Sequence, residues 1–248
     1  GQLAASGNSK INVYEKVKVS VISTGDELIS VNSKNRLKGQ IFDSNKPMLL
    51  SLLHVNYLKV LDLGIVKDNR SKLANKYAEA LTKSDVVISS GGASDGVEDH
   101  TQNALKDIGA KCLVWQLAMK PGKPMAVGTL GKKFIFCLPG NPVAAFVCTK
   151  LLIQPLLIKL SGGIDLEPLE IKLPSGFEHN KRIGRAEYLR AKIVNDGKDT
   201  VINLHGRKGA GVISSLTGAD GIVEIPLEYE SINKGDLLTF FPFGYRGL

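Results

Sequence analysis

Short apolar runs alternate with amphipathic segments over residues 16–160. The apolar runs are rich in Val and Ile and are bounded by Gly, Pro or Asp, which predicts strands. They are residues 16–23, 57–66, 85–90, 111–118 and 133–139. Apolar residues recur at helical spacing between them, which predicts helices at 44–55, 71–83 and 100–109 and a last helix starting near Pro142. The alternation predicts an α/β domain with a three-layer, doubly wound, mostly parallel sheet.

The pattern changes after residues 161–165, SGGID, which we expect to be a linker. Beyond it, short alternating or apolar runs are separated by turns such as Asp196-Gly197 and Lys234-Gly235-Asp236. This predicts a small all-β, barrel-like domain. We expect three parts in the chain, which are a remnant of an upstream segment or linker at 1–16, the α/β domain at 17–163 and the C-terminal β domain at 164–248.

Charge and cysteine content narrow the class of protein. The formal net charge of +8 suggests anionic partners. The basic residues form no block, so nucleic acid is weakly supported and a small phosphate-bearing ligand explains the charge as well. The three cysteines lie in apolar segments without a CxxC pair, which predicts small core residues in a reduced, cytoplasmic protein.

The sequence lacks the signals of a membrane protein, of a histidine metal site and of several common enzyme classes. The apolar run at 142–160 is interrupted by Lys150, Pro155 and Lys159, so it predicts a buried helix and not a membrane span. The four histidines are scattered without metal-ligand spacing, which predicts surface or core positions. The chain contains no GxSxG, Walker A or GxGxxG motif, so the sequence does not support a hydrolase triad, a P-loop enzyme or a Rossmann dehydrogenase.

Polar, glycine-rich segments follow several predicted strands, at the edge where open parallel sheets bind ligands. In STGDEL (23–28), Thr24 and Gly25 could present hydroxyl and amide groups to an anion, while Asp26 and Glu27 could orient a metal or a water. An ordinary loop with a capping Asp explains this segment equally well. Asp68 also lies just past a strand, where it is a weak signal by itself.

The segment SSGGASDGVEDH (89–100) carries the strongest of these signals. Gly91 and Gly92 allow a phosphate or a flat ring to approach the backbone closely, and Ser94 can donate a hydrogen bond. Asp95, Glu98 and Asp99 place carboxylates at the start of the next helix. Helix capping explains one acid and not three, so a functional interpretation is favoured.

Two further segments suit an anion. In LPGNPVAA (138–145), Gly140 permits a tight turn and Asn141 caps a helix whose free N–H groups form an anion site, although a purely structural turn fits equally well. In AMKPGKP (118–124), Lys120 and Lys123 lie in a loop stiffened by two prolines, one of them Pro124. Paired lysines there favour phosphate or oxyanion binding over a solvated hairpin.

Taken in order, six motifs resemble the MoeA/gephyrin E-domain family, the molybdopterin molybdenumtransferases of molybdenum cofactor synthesis. The motifs are STGDEL, GQIFDSNKPML, LGIVKDN, SSGGASDGVEDH, AMKPGKP and LPGNPVAAF, which span about residues 17–160. The segments GRAEYLRA (184–191) and ISSLTGADGIVEIP (213–226) resemble that family's C-terminal domain.

The resemblance implies a reaction in which adenylylated molybdopterin is hydrolysed with a divalent metal, Mg²⁺, and molybdenum from molybdate is left on the dithiolene. It implies Glu27, Asp68 and Asp99 as catalytic and metal-binding acids, and Lys120, Lys123 and Arg185 as contacts to molybdate or phosphate. It further implies a cytoplasmic homodimer, with a molybdopterin adenylyltransferase as a possible partner protein. The implied substrate-binding residues are Thr24, Gly25, Asp26, Gly91, Gly92, Ser94, Asp95, Lys120, Lys123, Pro124, Gly140, Asn141 and Arg185.

Three departures from the family pattern matter. Gln116 stands where members commonly carry a basic residue, and Val97 stands where an acid often follows the glycine turn. The family also has two domains N-terminal to this match, one of which is thought to complete the active site across a dimer, so the chain is expected to hold part of a site. Two alternatives stay open, a molybdopterin adenylyltransferase-like enzyme, which would need no β domain, and a non-catalytic binding or scaffold module of the same fold.

Overall fold

The structure is a computed structural model that describes residues 1–91, 98–164, 167–195, 197, 199–206, 209 and 211–244, with residues 98 and 99 described by their backbone alone. Its helices are α1 (Gln2–Ala5), α2 (Asn45–Leu52), α3 (Arg70–Lys83), α4 (Glu98–Asp107), α5 (Pro142–Cys148) and α6 (Gln154–Leu160), with a π-helical turn at Thr149–Ile153 and a 3₁₀ turn at Ile213–Ser215.

The described strands fall into two larger sheets and two short pairs. Those from the first two thirds of the chain are β1 (Val17–Thr24), β2 (Leu28–Ile29), β3 (Ile41–Phe42), β4 (Leu58–Val66), β5 (Val86–Ser90), β6 (Lys111–Trp115), β7 (Met119–Lys120), β8 (Ala126–Leu130) and β9 (Lys133–Leu138). Those from the last third are β10 (Ile171–Pro174), β11 (His179–Asn180), β12 (Ala186–Asn195), β13 (Thr200–Leu204), β14 (Gly221–Ile225), β15 (Ser231–Ile232) and β16 (Leu237–Pro242).

The first sheet has the order β4-β1-β5-β9-β8-β6. Strands β4, β1, β5 and β9 are parallel, whereas β8 runs antiparallel to both β9 and β6. The central strands are nearly continuous in burial because helices cover both faces. Val19 and Val21 of β1 point to the core shared with α2, α5 and α6, whereas Ile22 points to the core shared with α3 and α4. The predicted three-layer α/β class is therefore confirmed.

The sequence interpretation missed one strand of this sheet and the role of another segment. Strand β8 falls where the sequence pattern predicts no element, because AVGTL is short and interrupted by Gly128. The predicted strand at 111–118 ends at Trp115, and Met119–Lys120 forms β7, which pairs in parallel with β12 of the second sheet. Backbone pairing between β7 and β12 therefore joins the AMKPGKP loop to the β domain.

The second sheet has the antiparallel order β10-β16-β14-β12-β13, and its core includes Ile202, Val223 and Phe240. It belongs to the small β domain that the sequence predicts. The two domains share apolar contacts, since Ile222 belongs to the same core as α5, and the rings of Phe146 and Phe243 meet edge to face at 4.9 Å. The predicted domain boundaries remain predictions.

The continuous helical stretch Pro142–Leu160 is long and apolar enough to cross a membrane by length and composition alone, and half of that stretch is buried inside the fold. Val143, Val147 and Leu157 on its inner face belong to the core under the sheet. Cys137 and Cys148 are buried as expected, but Cys112 is exposed on the edge strand β6, where the core prediction was wrong.

Candidate functional site

A cleft of about 390 Å³ opens at the carboxyl ends of β1, β5 and β9. We call it the acceptor cleft, because several of its walls carry hydrogen-bond acceptors. It is lined by Thr24, Glu27, Leu28, Ile41, Phe42, Asp43, Ser44, Asn45, Ser90, Gly91, Gly140, Asn141, Pro142 and Gly211. Five of the predicted substrate-binding or catalytic residues therefore meet in one place, namely Thr24, Glu27, Gly91, Gly140 and Asn141.

Position 91, in the lining of the cleft, requires a glycine because the main chain of Thr24 passes close to it. Gly91 has a φ of +98°, and a Cβ there would lie 2.0 Å from the main-chain oxygen of Thr24. Its N–H donates to the carbonyl of Leu138, and the N–H of Gly25 donates to the carbonyl of Val66. These two amides are thus used inside the fold, so the Gly25 amide is not available to an anion as the sequence suggested. Gly91 instead lets the ends of β1 and β5 come together.

The predicted acids at the ends of β1 and β4 are linked to each other. The hydroxyl of Thr24 donates to Asp68 Oδ1 at 2.8 Å, and the N–H of Asp68 donates to Asp26 Oδ1 at 3.3 Å. Lys67 donates from Nζ to the main-chain oxygen of Asp26 at 2.8 Å. This network joins three of the predicted residues, while Glu27 reaches the cleft from the same turn.

These acids suit a hard divalent cation by donor type. Mg²⁺ usually takes one or two protein carboxylates and keeps waters or substrate phosphates as its other ligands, and Glu27 and Asp68 are two carboxylates beside a cleft. No group of three acidic, His or Cys side chains with metal-binding geometry occurs among the described residues. The side chain of the third predicted ligand, Asp99, lies outside the described residues.

Gly92, Ser94, Asp95 and Val97 also lie outside the described residues. Asn141 is the N-cap residue of α5, as predicted, although its side chain makes no capping hydrogen bond.

The cleft contains two residues that the sequence interpretation did not single out. Asp43 and Asn45 are buried, with 2% and 8% of their surface exposed, and both line the acceptor cleft. Asn45 donates from Nδ2 to Ser90 Oγ and to the carbonyl of Gly140, both at 2.8 Å, so it ties the ends of β5 and β9 to α2. Their sequence signal was the Asp-Ser-Asn triplet before a helix, inside a motif used only for the resemblance.

A second cavity, of about 170 Å³, lies between the AMKPGKP loop and the β domain. We call it the basic cavity. It is lined by Lys120, Pro121, His179, Glu187, Leu189, Arg190, Leu204, His205, Gly206 and Gly209. Gly209 lines this cavity and Gly211 lines the acceptor cleft, so one loop of the β domain borders both.

A buried carboxylate organises the basic cavity. Glu187 accepts from Lys120 Nζ at 3.0 Å and contacts His179 Nε2 at 2.9 Å, and its side chain is 9% exposed. Burial alone would raise the pKa of Glu187, but the hydrogen bonds from Lys120 and His179 outweigh it and leave that pKa below its ordinary value. Arg190 is buried beside them, and burial lowers the pKa of its guanidinium. The cavity thus gathers cationic side chains around one anion.

The basic residues that the sequence singles out lie in different surroundings. Arg185 is exposed and lines neither of the two cavities, whereas Arg190, five residues on in β12, lines the basic cavity. Lys123 is exposed and lines neither cavity, and Pro124 is half-buried, so the two lysines do not act as an equivalent pair. His179 was expected at the surface or in the core, but it contacts Glu187 in the cavity.

The chain matches two described protein families. The family "Probable molybdopterin binding domain" matches residues 20–159, and "MoeA C-terminal region (domain IV)" matches residues 172–243. The molybdopterin molybdenumtransferase of Haemophilus influenzae is 33% identical over 245 residues, which is 98% of this chain and 60% of that protein. The protein of the same name from Nostoc sp. is 33% identical over 238 residues, 94% of this chain and 54% of that protein.

Among solved structures, a molybdopterin biosynthesis MoeA protein from Pyrococcus horikoshii superposes with a TM-score of 0.81 at 30% identity. That match covers 98% of this chain and 58% of the Pyrococcus chain. The chain therefore spans somewhat more than half the length of the relatives that it matches.

Proposed function

The chain belongs to the family of probable molybdopterin-binding domains, followed here by a MoeA C-terminal region, and on this premise we propose that it inserts molybdenum from molybdate into adenylylated molybdopterin during molybdenum cofactor biosynthesis. In this reaction, water cleaves the phosphoanhydride of the adenylylated substrate, AMP leaves, and molybdenum stays on the dithiolene. Because the chain spans only part of its relatives, the activity is proposed for a protein that also contains the upstream domains.

The observation that carries this proposal is the pairing of two different cavities along one β-domain loop. The acceptor cleft has glycine and apolar walls with a few acceptors, which suit a flat heterocycle. The basic cavity gathers Lys120, Arg190 and His179, which suit an oxyanion. A pterin that carries a phosphate and receives molybdate needs both kinds of surface.

We assign Glu27, Asp68 and Asp99 to a Mg²⁺ site. When bound there, Mg²⁺ would neutralise phosphate charge and acidify a water. Thr24 orients Asp68 through its 2.8 Å hydrogen bond, and the Asp26 carboxylate accepts from the backbone N–H of Asp68.

The binding roles divide between the two cavities. Lys120 contacts molybdate or the substrate phosphate, and we add Arg190 of the basic cavity in preference to the exposed Arg185. Lys123 lines neither cavity, and its role rests on the resemblance alone. Gly91, Gly140 and Asn141 shape the acceptor cleft. The roles of Gly92, Ser94 and Asp95 rest on the resemblance alone.

We also propose that the protein works as a cytoplasmic homodimer and that it receives its substrate from a molybdopterin adenylyltransferase. An exposed apolar arm beside the acceptor cleft supports a covering partner. Val31, Leu37, Ile41 and Phe42 on this arm are 63%, 69%, 51% and 44% exposed. Exposed apolar patches of this kind mark interaction sites.

The enzyme proposal is tested by AMP release. The chain, and a longer version that carries the upstream domains, are mixed with adenylylated molybdopterin, molybdate and Mg²⁺, and AMP is measured over time. We expect molybdate-dependent release from the longer version, and loss of that release in its Asp68→Asn variant. If adenylylated molybdopterin binds but neither version releases AMP, the chain is a binding module and the enzyme proposal is wrong.

A further inference from the structure

Two residues that line the acceptor cleft each carry one acceptor atom without a hydrogen-bond partner among the described residues. The two atoms are Asp43 Oδ2 and Asn45 Oδ1, and both atoms are buried. Buried polar atoms are almost always hydrogen-bonded, so two unpartnered acceptors on residues two positions apart require an explanation. A ligand that donates hydrogen bonds supplies one.

The orientation of the Asn45 amide is fixed by its neighbours. The main-chain oxygen of Gly140 can only accept a hydrogen bond, so the atom 2.8 Å from it must be the amide nitrogen. The same nitrogen donates to Ser90 Oγ. Asn45 Oδ1 therefore has to face away from both partners, and it is held in that position.

Hydrogen bonds also hold Asp43 in place, and they leave one of its carboxylate oxygens without a partner among the described residues. Its Oδ1 accepts from the backbone N–H of Lys46 at 3.1 Å, and its own N–H donates to the carbonyl of Ile29 at 2.9 Å. The ammonium group of Lys46 lies 3.3 Å from Asp62 and so pairs with a different carboxylate. Within the part of the chain that the structure describes, Asp43 has no ion pair, although only 2% of its surface is exposed.

The rest of the cleft favours a flat ring as the group that meets these acceptors. Leu28, Ile41, Phe42 and Pro142 provide apolar walls that suit the faces of a ring. A planar heterocycle with adjacent N–H donors satisfies both acceptors.

We propose that Asp43 and Asn45 recognise the 2-amino-4-oxo edge of the pterin ring, whose exocyclic amino group and neighbouring ring N–H donate to the two free oxygens. This inference rests on the proposed function, because it takes the ligand of the cleft to be a pterin. It assigns the two residues to substrate selection and not to hydrolysis.

The test compares two ring systems that differ at this edge. Pterin carries the 2-amino group, whereas lumazine carries an oxygen there, which would face the Asp43 carboxylate. We expect the 248-residue chain to bind pterin at least about tenfold more tightly than lumazine in a fluorescence titration, since sites built to accept a hydrogen bond reject analogues that lack the donor. Equal binding of pterin and lumazine, or binding of neither, overturns the proposal.

The variant Asp43→Asn removes the charge and keeps the acceptor that serves Lys46. We expect its preference for pterin to fall to within a factor of about three, since only one of two ligand hydrogen bonds is then properly matched. We expect its melting temperature to rise by about 2–4 °C, because a buried carboxylate without a cation has been removed. The matched control is Asp62→Asn, an exposed carboxylate that lines no described cavity, which should leave the preference unchanged.

Other outcomes have defined meanings. If Asp43→Asn keeps the full preference for pterin, the assignment is wrong. If Mg²⁺ alone raises the melting temperature of the unchanged chain but not of Asp43→Asn, the two oxygens hold a cation and the assignment is also wrong. AMP release without a preference for pterin would support the proposed function and contradict this inference. A preference for pterin without AMP release would support this inference and contradict the proposed enzyme activity.

Discussion

The acceptor cleft and the basic cavity border the same loop but treat their polar groups differently. In the acceptor cleft, Asp43 and Asn45 are held by the fold with acceptor atoms left unpartnered among the described residues. In the basic cavity, the buried carboxylate of Glu187 is already paired with Lys120 and His179. The first region therefore has acceptors that a hydrogen-bond donor of a ligand could use. In the second region, Glu187 holds Lys120 in place but also neutralises part of its positive charge. A bound anion would therefore have to compete with Glu187 for Lys120.

The largest expected effect tests the basic cavity. Replacing Lys120 by Ala in the longer protein should slow AMP release about 10²–10³-fold, which is typical for the loss of one oxyanion contact. Because Lys120 also pairs with the buried Glu187, we expect a stability loss of about 1 kcal/mol or less as well, measured by chemical denaturation. The control is Lys132→Ala, an exposed lysine in the β8–β9 turn. Unchanged AMP release in Lys120→Ala would remove this residue from the site.

The next prediction compares the stability lost when a glycine is replaced by alanine in each of the two regions. In the acceptor cleft, Gly91→Ala would drive a methyl group to 2.0 Å from a main-chain oxygen. In the basic-cavity loop, Gly122→Ala would meet the side chains of Cys148 at 2.8 Å and Met119 at 3.2 Å, and the flexible Met119 can yield. Both positions have positive φ, so both variants should lose stability.

We expect a loss of about 3 kcal/mol or more at Gly91 and a smaller loss at Gly122, measured by urea denaturation. A Gly122→Ala loss equal to or larger than that of Gly91→Ala would show that the cleft floor is not the more rigid region.

A smaller effect concerns pH. The pKa of Glu187 is lowered in the folded state, so the ion pair stabilises the protein fully above the ordinary Glu pKa of about 4.3. That contribution is lost as the pH falls below this value towards the folded-state pKa. The difference in unfolding free energy between the unchanged chain and Glu187→Gln should shrink as the pH falls below ~4.3.

The matched control for this pH series is Glu228→Gln, an exposed residue whose substitution should give no such trend. A difference that grows as the pH falls would mean that the cavity stabilises the protonated form of Glu187 instead.

The smallest expected effect restores a charge. Gln116 is half-buried at the start of the loop that carries Lys120, where the resemblance noted in the sequence implies a basic residue. Gln116→Lys should tighten molybdate binding up to about fivefold at low salt, as expected for one partly solvated charge. The gain should disappear at high salt, because exposed charges are screened. Isothermal titration at two salt concentrations checks this, and a gain that persists at high salt would argue for a direct, buried contact.

The sequence predicted the sheet and its helices well because buried parallel strands are continuous apolar runs, which are visible without tertiary information. Strand β8 escaped prediction because Gly128 breaks its pattern, and β7 escaped because a two-residue strand is defined only by its distant partner β12.

The same limit applies to the candidate site. Thr24 and Asp68 lie at strand ends that the topology brings together, so strand order alone could predict their proximity. The choice of Arg190 over Arg185 depends on the cavity that forms when β12 pairs with β7, and no local pattern encodes it. Asp43 and Asn45 resemble an ordinary helix start until the structure shows which of their atoms are left without partners.

The division between the two cavities is tested most directly by locating molybdenum. Crystals of the chain soaked in molybdate, with diffraction recorded at the molybdenum absorption edge, would show the metal by its anomalous signal. We predict that the strongest peak lies beside Lys120 at the mouth of the basic cavity, outside the acceptor cleft. A strongest peak next to Asp43 and Asn45, or none near Lys120, would contradict the assignment of the anion to the basic cavity.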